Sequence, residues 1–68
     1  SLITMTTDTG SGSWGPADFY VEGTLVVDAT CIDTSASEDD LTFRLDGETL
    51  TVDAVLCNGE RRRLTGLP

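Results

Sequence analysis

Apolar positions along this chain recur at every second residue, the spacing of strands rather than helices. The longest such run is residues 19–32, FYVEGTLVVDATCI. Phe19, Val21, Leu25, Val27, Ala29 and Cys31 share one parity. Tyr20, Glu22, Thr24, Asp28 and Thr30 share the other, with Val26 and Ile32 as exceptions. The pattern predicts one long, half-buried strand, and Gly23 in its middle predicts a bulge or sharp bend.

A second alternation runs through Leu41, Phe43 and Leu45, then Asp46-Gly47, then ETLTVDAVLC. Asp-Gly between alternating segments is a strong signal for a two-residue hairpin turn. Read that way, both turn residues have positive φ, Leu45 faces Glu48, Phe43 faces Leu50 and Leu41 faces Val52. A second such signal, Asn58-Gly59, pairs Leu56 with Arg61, Val55 with Arg62 and Ala54 with Arg63. The last strand, residues 60–65, is charged, as suits an edge that must not aggregate. Near the start, LITMT at residues 2–6 reads as a short strand. TDTGSGSWGP at residues 7–16 reads as a loop broken by glycine and proline.

The predicted fold is all-β: a small antiparallel meander of four to five strands, curled toward a half-barrel or sandwich. Residues 1–18 form a flexible arm and loop, 19–65 the antiparallel β domain, and 66–68 a tail. The expected core is Phe19, Val21, Leu25, Val27, Leu41, Phe43, Leu45, Leu50, Val52 and Leu56, with Phe43 at its centre.

Composition sharpens this picture. A chain of 68 residues is one domain whose core is marginal. Domains of this size lean on a disulfide, a metal or a partner chain. The formal charge is −8, from 12 acidic and 4 basic residues. That balance repels nucleic acid and anionic membrane surfaces. No apolar run approaches the length that spans a bilayer, so membrane insertion is not expected. The start, SLITMTTDTG, lacks the basic and apolar regions of a signal peptide. Two accounts of Ser1 stand, a processed start and a native one.

Candidate chemistry is narrowed by what is missing. The sequence contains no histidine and no lysine. Ser-His-Asp, Cys-His, Ser-Lys and Schiff-base arrangements are therefore excluded. Carboxylate pairs sit on loops and a wet strand face, where nothing raises one pKa for general acid work. Neither enzymatic activity nor a cofactor is expected. In the acidic loop, Asp33, Ser35 and Ser37 match the first ligand spacings of a calcium loop. Glu38 and Arg44 then stand where glycine and glutamate are required, which leaves at most a weak site from Asp33, Glu38, Asp39 and Asp40. Cys31 and Cys57 have two readings: one disulfide, or two reduced, mostly buried thiols.

Trp14 reads either as a lid over the core or as an anchor for a partner. Arg61, Arg62 and Arg63 read either as internally paired with Asp53, Glu60 or Asp28, or as a docking edge for carboxylates. The sequence thus suggests a non-enzymatic structural or interaction module, an accessory subunit of a larger assembly such as a virus particle or surface layer. Its partner is another protein or copies of itself, met through Leu2, Ile3, Met5, Trp14, Arg61, Arg62 and Arg63. Alternatives are a secreted or lipid-anchored β domain stapled by the disulfide, and an acidic inhibitor that mimics nucleic acid. A virion or extracellular location is favoured over the cytoplasm.

Overall fold

The computed structural model describes residues 3–26 and 31–68. Ser1, Leu2, Val27, Asp28, Ala29 and Thr30, named above, lie outside the described residues. The fold is all-β and antiparallel. A two-stranded sheet pairs β1 (Ile3–Thr7) with β2 (Gly10–Trp14). A five-stranded sheet contains β3 (Phe19–Val21), β4 (Thr24–Leu25), β5 (Thr42–Asp46), β6 (Thr49–Val55) and β7 (Arg61–Gly66). Its order is β4-β3-β7-β6-β5, and it does not close into a barrel.

The N-terminal segment is a hairpin rather than a flexible arm. GSGSW carries little β-propensity of its own, yet it forms β2 because the core demands a close approach there. A Cβ on Gly12 would lie 2.6 Å from the Trp14 ring. Glycine inside a strand marks such an approach. Trp14 is fully buried, and its indole N–H donates to the Glu48 carbonyl at 3.2 Å. Ile3 and Met5 pack beside it, half-buried. This hairpin is the second layer that encloses the core of Trp14, Phe19, Leu45, Leu50, Val52, Ala54 and Leu64.

Within the long strand expected over residues 19–32, the described residues 19–25 form instead a hairpin. Glu22 (φ 50°) and Gly23 (φ 82°) form its two-residue turn, placing Tyr20 opposite Leu25 and Val21 opposite Thr24. Positive φ at both turn residues is the type I′ geometry that matches strand twist. The reversal moves Leu25 off the core parity. It stands beside Tyr20 on the open face of the outermost strand, 43% exposed.

The β5–β6 hairpin keeps its expected parity and shifts register by two residues. Asp46 pairs with Thr49, Leu45 with Leu50 and Phe43 with Val52. The turn is therefore Gly47-Glu48, and of its two residues only Gly47 (φ 62°) has positive φ, the II′ preference for glycine at the first turn position. Phe43 meets Val52 instead of Leu50, and it is 46% exposed rather than central to the core.

The β6–β7 connection differs by one residue. Val55 pairs with Arg61, Ala54 with Arg62 and Asp53 with Arg63. The Gly59 amide donates to the Leu56 carbonyl at 2.9 Å, and Gly59 has φ 88°. This is the three-residue loop in which a tight turn is followed by a left-handed glycine. One extra loop residue flips the face of everything after it. Leu64 and Gly66 are thereby carried into the core, where neither was expected.

Candidate interaction surface

After residue 30 the chain returns alongside the far end of β6. Ile32 bridges Leu56, and the amides of Asp33 and Cys57 donate to the carbonyls of Val55 and Cys31 at 2.8 and 2.9 Å. Cys31 and Cys57 are joined in a disulfide with their Cα atoms 5.3 Å apart. The curl of the sheet end achieves this, although a flat meander would keep the two residues apart. Both cysteines are exposed.

The acidic loop then folds against the arginine strand. Arg61 Nη1 donates to Asp40 Oδ1 at 2.6 Å, and Arg62 Nη2 lies 2.5 Å from Glu60 Oε2. Arg63 grips Asp53 through Nε and Nη2 at 2.7 and 3.2 Å. Two of these partners, Glu60 and Asp53, are among those the sequence suggested. Asp39, Asp40, Asp53 and the three arginines line a concavity of about 250 Å³. The Arg61 guanidinium lowers the pKa of Asp40, and the Arg63 guanidinium lowers that of Asp53 and is itself raised. All these groups are solvated, so the pairs organise the loop more than they stabilise it.

Arg61, Arg62 and Arg63 are thus each met by an acid of the same chain. Asp33, for its part, accepts from the Ser35 hydroxyl and amide at 2.6 and 3.0 Å, which lowers its pKa. The acids of the loop do not converge: among the described residues no group of three or more acids, histidines or cysteines is placed to hold a metal. Trp14, buried within the core, has no surface to offer a partner. No helix among the described residues is long and apolar enough to cross a membrane.

The surface that sequence reasoning missed is the outer edge of β5. The sheet has two outer strands, β4 with two residues and β5 with five. A very short edge is a usual protection against strand addition, so β4 is blunted and β5 is not. Alternate residues of β5 direct their main-chain groups away from β6. The Leu45 carbonyl does so, since it accepts from the Thr9 hydroxyl at 2.9 Å. By the same alternation Phe43 directs both its N–H and its C=O outward, and neither has a partner among the described residues. Beside them, Thr7, Thr9, Phe43, Arg44, Leu45 and Asp46 border a depression of about 600 Å³. The Asp-Gly signal hid this surface, because reading Asp46-Gly47 as the turn put Phe43 against Leu50 in the core. The alternative Gly-X turn was the available clue.

Compared with known proteins, the chain matches no family model, no curated protein and no solved structure.

Proposed function

We propose that this chain is a non-enzymatic interaction module, a small disulfide-stapled accessory subunit of a larger assembly such as a virus particle or surface layer. The observation that carries the reading is Phe43: a large aromatic residue, 46% exposed, on the longer of the two outer strands of the five-stranded sheet. Aromatic residues at the centre of a contact supply much of its binding energy. The second layer of the fold is also incomplete, and a partner would finish it. This moves the expected contact away from Trp14 and toward β5.

The test places a photo-crosslinking residue at position 43 of the full chain in its native host, with positions 38, 58 and 62 as comparators. Position 43 should yield a protein adduct of defined mass that positions 38 and 58 do not. Equal adducts from all positions, or adducts from 62 alone, would overturn the placement. The disulfide favours a second reading, a domain matured in an oxidising compartment. A thiol assay on protein taken directly from its native source tests it, and free thiols at Cys31 and Cys57 would count against it.

A further inference from the structure

The β5 edge also specifies what kind of partner it fits. Resting on the proposal that β5 is the contact surface, we infer that it binds an extended peptide segment as an added antiparallel strand, apolar on one side and basic at its ends. Three observations carry this. First, the outward Phe43 N–H and C=O are flanked by the outward N–H of Leu45, and none of the three has a partner among the described residues. A row of main-chain donors and acceptors at strand spacing is satisfied by another extended backbone.

Second, residues added on the core parity of the new strand would lie beside Phe43 and Leu45. Phe43 is half bare on that side, whereas Leu45 is only 6% exposed. An aliphatic side chain would complete the cover that the β1–β2 hairpin leaves unfinished. Third, acids bracket the edge. Asp39 and Asp40 precede it in the chain, Asp40 already held by Arg61; Asp46 ends it on the wall of the depression, and Asp8 lies in the chain between Thr7 and Thr9, two residues of that wall. Arg44 is the one basic residue between them, and it sits on the open face close enough to Asp53 to lower that carboxyl's pKa. The formal charge of −8 opposes a second copy of this chain at the same edge and favours a basic segment,.

The experiment uses the full chain with its disulfide intact and the probe acetyl-Lys-Val-Thr-Val-Lys-amide. Its valines match the core parity, its threonine meets Arg44 and its lysines reach the acids at either end. Titration followed by amide NMR should move the resonances of residues 41–46 and of the Thr7–Gly10 turn, and should slow exchange of the Phe43 amide. Methylating the nitrogen of the valine opposite Phe43 removes the strand hydrogen bond to the Phe43 C=O and should weaken binding several-fold, to about tenfold. Replacing both lysines by glutamates should abolish binding. Phe43→Ala should weaken it while leaving the fold intact, since that side chain is half-exposed, and the methylated peptide tests the same contact without touching the protein. Equal binding of the methylated or acidic peptide, absence of binding, or shifts confined to residues 33–40 would overturn the inference. So would protection of the Phe43 amide that rises with protein concentration alone, which would make a second copy the occupant. Crosslinks from position 43 without peptide binding would leave the contact surface standing and remove strand addition.

Discussion

Trp14 and Phe43 stand on the same side of the β-structure and meet opposite fates. Trp14 has no exposed surface, and Phe43 keeps 46% of its own. Strand parity puts Phe43 on the core side with Leu45, Leu50 and Val52. Parity decides only which way a side chain points; burial also needs a second layer over it. The β1–β2 hairpin supplies that layer as far as Leu45, where Thr9 closes the main chain, and goes no further. One end of the sheet is therefore a finished core and the other an open edge.

The strongest way to break this comparison is to remove the finished end. Trp14→Ala should cost about 3–5 kcal/mol, which approaches the whole stability of so small a domain. Urea unfolding checks it, and a small loss would mean the hairpin is not the second layer. The staple comes next. Reducing the Cys31–Cys57 disulfide, whose sequence separation is 26, should cost about 3.5 kcal/mol on the chain-entropy account. Thermal unfolding with and without reductant measures it.

Gly66→Ala sharpens the comparison from within the core. Its new Cβ would lie 2.8 Å from Phe19 and 3.0 Å from Trp14, an overpacking worth roughly 1–3 kcal/mol. Phe43→Ala, by contrast, should cost only about 1 kcal/mol, because little more than half of the ring leaves water on folding. A loss for Phe43→Ala as large as that for Trp14→Ala in the same urea series would show that the two ends do not differ.

The smallest effect is electrostatic. Asp33, Asp40 and Asp53 are held below the ordinary value of 3.8 by Ser35, Arg61 and Arg63 respectively. A depressed carboxylate stabilises the fold above its unfolded pKa, and the contribution is lost as pH falls through the folded one. Stability should therefore decline as pH drops below about 4. Asp53→Asn should flatten part of that slope while leaving the Phe43 end unchanged, as acid titration of the unfolding midpoint will show.

Much of the fold was legible in the residues. Alternation in TFRL and in TLTVDAV marked β5 and β6, and the triple arginine marked a charged final strand. Glycine with a polar neighbour marked the turns at Gly47 and Gly59, while the turn at Gly23 carries the pattern of a bend inside one strand. The candidate site was far less legible. Phe43 carries the same pattern signature as Leu45, and two turn types fit Asp46-Gly47-Glu48 while preserving parity. A two-residue slip leaves every side chain on its face and changes only its neighbour and its distance from the hairpin.

By itself, then, the sequence determined class, antiparallel pairing and the parity of β5 and β6, because period-two patterning and turn chemistry act between residues close in the chain. It offered internal pairing as one of two readings of the arginines, and named Asp53 and Glu60 but not Asp40 as partners. Only the tertiary structure decided that GSGSW is a strand, that Trp14 belongs to the core and that Cys31 reaches Cys57. Those outcomes depend on close approaches between segments distant in sequence, where the space left by one element determines the conformation of another. The exposure of Phe43 has the same origin: how far a two-stranded hairpin extends across a five-stranded sheet is a property of their packing, and no local pattern encodes it.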